Sequence, residues 1–379
     1  MAVLSRRVAP IAIAAIAVLA MSACSKSSKT TAAPSPSTTA AATASGTVAL
    51  LLPESKTTRY EAADKPDFEA AMSVQCPACT VDYANASQDE AKQLQQAEAA
   101  LTKGAKVLVL DPVNGLTAGK IVTMAKAKGV PVISYDRLIT GGGAAPDYYI
   151  SFDNEKVGAL QGTALKAALD KNGKKGNLVW INGSPTDNNA TLFAKGAHSV
   201  IPKAGIDGYT IGYEIATPDW SPDKANQEAQ AAIAKLGKST IVGVYSANDG
   251  MATGIVAALK AAGFSTLPPL TGQDAEKAAV VRILLGEQTV SIYKAIKPEA
   301  EAAAELAVAL LKGTTPTTVA GTTLSTVNSG TTPVPSVLLT PIALTKDNVK
   351  DTVIKDGFYK ASDICTGSAA AVCTQLGIA

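Results

Sequence analysis

Val132-Ile133-Ser134-Tyr135-Asp136-Arg137 is a short apolar strand that ends on a carboxylate and a guanidinium. The arrangement recurs along the chain. Asp187 and Asn189 follow an apolar run at 178–181, Asn248 follows 241–245, and Asp274 follows 270–272. In an open α/β sheet, ligands bind outside the carboxyl ends of the strands. Strand-end carboxylates, guanidinium and amides from separate segments therefore point to one site for a small polyhydroxylated molecule.

Working outward, strands are predicted at 47–52, 81–83, 107–110, 132–135 and 148–151, with helices near 66–74, 87–102 and 116–128 between them. Ser87 and Glu90 fit a capping box at the start of the second helix. Gly104 and Gly129 stop helices as C-terminal glycines do. The alternation continues with strands at 178–181, 210–215, 241–245, 270–272 and 289–293. Helices are predicted near 155–169, 189–201, 251–261, 275–285 and 298–311, with another opened by Ser221 and Pro222. Such alternation specifies parallel sheets with helices on both faces. Its two rounds, 47–151 and 178–293, are of similar length and predict two lobes with a cleft between them, a favoured place for small ligands.

The chain starts with Arg6 and Arg7 before an apolar run at 8–20, too short for a membrane span and of the form of a secretory signal. Met21-Ser22-Ala23-Cys24 resembles a bacterial lipobox, which predicts lipid on Cys24 after cleavage. The following Ser/Thr/Ala/Pro stretch cannot bury enough surface to offset its ordering entropy and reads as a disordered tether. A formal net charge of +2, from 34 basic and 32 acidic residues, has no basic block and argues against a nucleic-acid partner. Of the five cysteines, Cys76/Cys79 and Cys365/Cys373 form two close pairs, the second flanking a small-residue loop near the end. In an exported chain such pairs read as local disulfides. A redox role for Cys76-Pro77-Ala78-Cys79 is the alternative, although the motif lies between a helix and a strand and not at a helix start. With one histidine, His198, a metal site is not expected.

Several longer motifs are similar to the D-xylose-binding proteins of bacterial ABC importers, within the type I periplasmic sugar-binding class. They are Tyr135-Asp136-Arg137, Tyr149-Ile150-Ser151-Phe152-Asp153-Asn154, Gly183-Ser184-Pro185-Thr186-Asp187-Asn188-Asn189, Ser246-Ala247-Asn248-Asp249, Thr271-Gly272-Gln273-Asp274 and Tyr293-Lys294. The resemblance implies an α/β fold of two Rossmann-like lobes joined by three crossings, near 152–155, 293–297 and 322–340. It divides the chain into a signal peptide (1–23), a lipidated cysteine and tether (24–46), a first lobe (47–153 plus about 295–325), a second lobe (154–294 plus about 335–364) and a disulfide-containing tail (365–379).

It also implies a monosaccharide ligand, a membrane permease as partner, anchoring through lipid only, a monomeric state and no cofactor. Carboxylates accept, Arg and Lys donate, and Asn does both. Asp136, Asp187 and Asp274 are expected to accept from sugar hydroxyls, Arg59, Arg137 and Lys294 to donate, and Asn189 and Asn248 to do both, while Trp220 covers a ring face. Asp187 and Asp274 also suit helix capping, and Trp220 also suits a core. The first loop, Lys56-Thr57-Thr58-Arg59-Tyr60, departs from the family: Tyr60 stands where those proteins carry Trp, and Lys56 is a further candidate. No G-x-S-x-G, P-loop or G-x-G-x-x-G motif is present. The cations around the aspartates are expected to keep them ionised, which disfavours a general acid and predicts a non-enzyme.

Overall fold

The computed structural model describes residues 44–378. The signal segment, Cys24 and nearly all of the expected tether lie outside the described residues. In chain order the first part runs β1 (Gly46–Leu52), α1 (Lys65–Gln75), β2 (Cys79–Asn85), α2 (Glu90–Thr102), β3 (Val107–Leu110), α3 (Gly119–Ala127), β4 (Val132–Tyr135) and β5 (Tyr148–Phe152). The middle runs α4 (Asn154–Asn172), β6 (Gly176–Asn182), α5 (Asn188–Val200), β7 (Tyr209–Ala216), α6 (Pro222–Leu236), β8 (Ile241–Ser246), α7 (Asp249–Ala261), α8 (Lys277–Leu285) and β9 (Ser291–Tyr293). The last part runs α9 (Ile296–Leu311), β10 (Thr318–Val319), β11 (Thr322–Thr323), β12 (Ser325–Ser329), β13 (Thr332–Leu339), β14 (Ile342–Leu344), α10 (Ala361–Ile364) and α11 (Ala370–Gln375).

The first lobe is a seven-stranded sheet ordered β12-β13-β5-β4-β3-β1-β2, parallel except for the β12–β13 hairpin. Strand side chains alternate faces. Val48, Leu50 and Leu52 of β1 enter one core beside α1 and α9, while Ala49 and Leu51 enter another beside α2 and α3. Burial on both faces is why β1 reads as a nearly continuous apolar run. The second lobe is built on β7-β6-β8, all parallel, extended through bridges from Val244 to Leu270 and from Gln273 to Ile292 of β9, which pairs with β14. The strand expected at 270–272 is thus reduced to isolated bridges.

The crossings lie side by side. β5 ends at Phe152 against Leu339 of β13, and Asp153 donates its backbone N–H to Leu339 (2.9 Å) before α4 begins. Tyr293 of β9 pairs with Ile342 just after the third crossing. That crossing falls at 340–341, so the expected lobe division at 325 and 335 is corrected: β12 and β13 both belong to the first sheet.

The capping expectation at Ser87 is also corrected. Ser87 and Gln88 occupy left-handed backbone (φ 55° and 65°), and Asp89 is the residue that caps α2, accepting from Lys92 N–H at 2.9 Å. Ser221 caps α6, whose first residue is Pro222.

Both expected disulfides are present. Cys76 is bonded to Cys79 and Cys365 to Cys373, with Cα–Cα separations of 5.3 and 5.7 Å. The surroundings of the second pair correct the sequence reading in two respects. The segment between Cys365 and Cys373 is not a loop: a single 3₁₀ turn (Gly367–Ala369) leads directly into α11, and Cys373 sits within that helix. Nor is Cys373 part of a detached tail. It is fully buried in one apolar cluster with Val280, Ile283 and Leu284 of α8, joined by Ile364, Ala369 and Ile378 from its own segment. The reason is burial. Those apolar side chains are spaced so that the short helices turn them onto α8, and half-cystine is itself among the residues most often buried. The terminal segment therefore packs as part of the second lobe. Among the described residues no helix is long and apolar enough to cross a membrane, and no cluster of His, Cys, Asp and Glu suits a metal ion.

Candidate functional site

The strand ends of both lobes meet around a closed cavity of about 20 Å³. That is small beside drug-sized pockets of roughly 300–1,000 Å³. Arg59, Tyr60, Asp136, Arg137, Asp187, Asn189, Trp220, Asn248, Asp274 and Lys294 all line it. None is more than 4% exposed, so the lobes stand closed over it. Lys56 does not line it. Its backbone N–H is tied to the Glu54 carboxylate and its side chain faces solvent. Thr57, Phe193 and Gln273 complete the wall without having been singled out from sequence.

Each charged side chain is held from behind. Arg59 donates through Nε and Nη2 to Asp64 (2.9 and 2.6 Å) and through Nη2 to Glu299 (2.7 Å). Its Nη1 lies 3.4 Å from Asp136 and makes no hydrogen bond, leaving a donor at the cavity. Tyr60 donates its hydroxyl to Asp136 and accepts from Arg137 Nη2, both at 3.0 Å. Tyr60 thus joins the polar network, and its ring lies beneath both guanidinium groups.

Arg137 Nε sits 3.1 Å from Asp187 across the interlobe gap. Asn189 donates across the same gap to the Asp136 carbonyl at 3.1 Å. Lys294, on the second crossing, lies 2.9 Å from Asp274. The cavity wall thus carries three cations and three carboxylates, and Asp64, Glu299, Glu54 and Asp111 stand behind the two guanidinium groups, so the ligand meets cations that are already paired, an arrangement suited to a neutral molecule.

The two roles weighed for Asp187 coexist. One oxygen caps α5 through Asn189 N–H (2.8 Å), while the other accepts from Trp220 Nε1 (3.2 Å) and faces Arg137. Asn248 likewise caps α7 through Met251 N–H (2.9 Å). Asp274 makes no such cap: α8 begins after Glu276, which has no side-chain cap bond. Asp136, Trp220 and Asp274 all have positive φ (54°, 53° and 90°), a local strain of the kind that gathers at functional sites. Trp180 is core, stacked between His198 and Tyr245.

Burial would raise Asp136, but Arg59, Lys294 and Arg137 outweigh it and hold its carboxyl at about 2. At Asp187 burial pushes the carboxyl up more than Arg137 draws it down. Arg59 Nη1 and Gln273 Oε1 are left without hydrogen bonds and offer one donor and one acceptor, while Asp274 Oδ1 lies 2.9 Å from Lys294 Nζ. Phe193 and Trp220, edge to face at 6.3 Å, supply apolar surface.

Gly183 fixes the indole. A Cβ there would lie 2.0 Å from the Trp220 ring. Gly183→Ala is therefore expected to displace Trp220 from the cavity and weaken ligand binding about tenfold or more, while leaving the far-ultraviolet circular dichroism unchanged. Calorimetry checks this, and unaltered affinity would remove Trp220 from the site.

Residues 48–315 match the family model described as a periplasmic binding protein domain. The chain is 42% identical to the D-xylose-binding periplasmic protein of Escherichia coli (strain K12), over 74% of this chain and 82% of that one. It is 36% identical to the multiple sugar-binding periplasmic receptor ChvE of Rhizobium radiobacter, over 73% and 81%. An ABC transporter solute-binding protein from Clostridium phytofermentans, solved with β-D-glucose, superposes with a TM-score of 0.76 at 31% identity, covering 84% of this chain and 99% of that one. Paired lobes, a shared cavity between them and these relatives agree: the chain belongs to the type I periplasmic sugar-binding proteins, the exported and non-catalytic sugar-binding components of ABC transporters.

Proposed function

We propose that this protein binds a monosaccharide, D-xylose first among them, in the interlobe cavity and hands it to a membrane permease. It acts as a monomer tethered to the outer face of the cytoplasmic membrane through lipid on Cys24. The observation that carries the reading is the convergence of polar groups from both lobes on one small, closed space. Asp136, Asp187, Asp274 and Gln273 are the proposed acceptors. Arg59, Arg137 and Lys294 are the proposed donors, Asn189 and Asn248 do both, and Trp220 and Phe193 flank the ring. A ligand touched by both lobes binds the closed state better than the open one, and that difference is what drives closure.

A hexose is the alternative ligand. It is favoured by the multiple-sugar relative and by the glucose-bound structural neighbour.

Thermal unfolding against xylose, ribose, arabinose, glucose and galactose tests the reading. The cognate sugar at ~100 times its dissociation constant is expected to add about 2.7 kcal/mol. A flat response across the panel would overturn it. Loss of membrane association in Cys24→Ala, with sugar binding intact, tests the anchor.

A further inference from the structure

A second groove between the lobes flanks the sugar cavity and shares Arg59 and Asp274 with it as a common wall. Thr58 and Asp67 of the first lobe line this groove, as does Glu276 of the second. Glu276 is not among the residues around the sugar cavity. Its backbone N–H donates to Asp249 at 3.0 Å. That bond anchors its backbone in the second lobe, and its side chain lines the groove opposite Thr58 and Asp67 of the first lobe. The residue is only 8% exposed, and its Oε1 is buried without a hydrogen-bond partner, 3.6 Å from where a Cβ on Gly250 would stand. A carboxylate shut in this way lacks compensation, and a proton is the simplest cation that supplies it.

We propose that Glu276 is an interlobe latch that takes up a proton when the lobes close, so that sugar binding is coupled to protonation at a residue that does not touch the sugar. The inference rests on the sugar-binding reading above and deepens it.

The surroundings set the sign. Burial is the largest influence on Glu276, followed by Asp249 and Asp274, and together they push its carboxyl from an ordinary 4.5 up to about 8 against the Thr58 backbone and Arg282, which draw it down. From the C-terminal segment, Asp356 and Tyr359 face the same groove. Across it stand Asp67 and Arg59, with Lys297 at the second crossing. Asp249 is also raised, to about 7. Its carboxylate is bonded wholly within the second lobe, to the Glu276 N–H, Gln288 and Ser291, and it does not line the groove. When the lobes part, Glu276 regains water and returns toward its ordinary range. Closure is therefore favoured at acid pH. Affinity falls as pH rises from the ordinary glutamate range through about 8, and flattens above that.

Calorimetry of the intact protein with D-xylose and D-glucose, in two buffers of different ionisation heat at pH 6.5, measures the proton directly. Roughly half to one proton per sugar is expected, the same for every sugar that binds, because the latch does not read the ligand. The dissociation constant is expected to rise about tenfold or more from pH 6 to pH 8, by the same factor for each sugar. Glu276→Gln, which imitates the protonated acid, is expected to abolish both effects.

Sugar binding without proton uptake, or uptake that persists in Glu276→Gln, would overturn the latch. If neither sugar bound at any pH, the sugar reading would fail on its own. The latch would then be judged by small-angle scattering of the sugar-free protein. A larger radius of gyration at pH 8.5 than at pH 5.5, absent in the variant, supports it, and the same radius at both pH values rejects it.

Discussion

Arg59→Met is expected to cost about 3–5 kcal/mol in urea unfolding and to abolish stabilisation by sugar. Arg59 is the one cation bonded to both Asp64 and Glu299, and it faces Asp136. Removing it takes the shared cation from three carboxylates that are 1%, 3% and 0% exposed, Asp64, Asp136 and Glu299, and leaves Asp64 and Asp136 with hydroxyl donors and Asp136 with the more distant Lys294. The pH dependence separates this cause from simple loss of packing. Asp136 is held at about 2, with burial opposing and Arg59 first among the cations that lower it. A depressed carboxyl contributes stability above its unfolded pKa and loses it as pH falls through the folded one. The deficit of the variant is therefore expected to be largest at neutral pH and to narrow below about pH 4. A deficit under ~1 kcal/mol at pH 7, or one independent of pH, would mean that the network does not depend on this guanidinium.

Gly196→Val is expected to destabilise the protein by about 3 kcal/mol and to weaken sugar binding at the same time. α4 and α5 touch backbone to backbone: a Cβ on Gly158 would lie 1.9 Å from the Phe193 carbonyl, and one on Gly196 would lie 1.9 Å from that of Glu155. Neither obstacle is a flexible side-chain end, so the helices must separate. In an open helical position, replacing Gly normally gains up to about 1 kcal/mol, so the sign itself discriminates. Because α5 carries Asn189 and Phe193 into the cavity, their positions shift with the helix. A fully stable Gly196→Val with unchanged affinity would show that the interhelical contact has slack. Chemical unfolding and calorimetry decide both parts.

Much of the site was legible because the strand-end rule concerns the chain direction, which sequence carries directly. Asp136, Asp187, Asn248 and Asp274 each follow an apolar run, and each reached the same cavity. Phe193 was overlooked although a signal existed: it lies four residues after Asn189 in α5, on the same helical face. Gln273 stood inside a quoted motif, masked by the charged Asp274 beside it. Lys56 failed for the opposite reason. A long cation in a loop next to the site attracts notice, but only the fold decides whether the loop turns it inward.

The third crossing was blurred by Pro333 and Pro335, which argue against a central strand. In the fold both prolines pair only with β12, while β5 joins β13 from Ser336 onward. The missing N–H groups thus cost no bond to β5. The pairing of Cys365 with Cys373 was legible from their closeness in sequence, but the burial of Cys373 was not, because it depends on α8, some ninety residues earlier in the chain. The tuning of Asp187 was hidden for a similar reason. Whether burial or Arg137 prevails depends on how far the lobes exclude water from a contact between segments fifty residues apart.

The interleaved connectivity has a consequence for how the molecule is made. β12 and β13 complete the first sheet, and β14 pairs with β9 of the second lobe. A nascent polypeptide that has reached residue 311 therefore still lacks two of the first sheet's seven strands. Its second lobe still lacks the partner of β9. Vectorial synthesis thus cannot finish one half and then start the other. Both halves wait for the same late segment, which leaves most of the emerging chain without a finished native lobe and open to passage through a secretion pore.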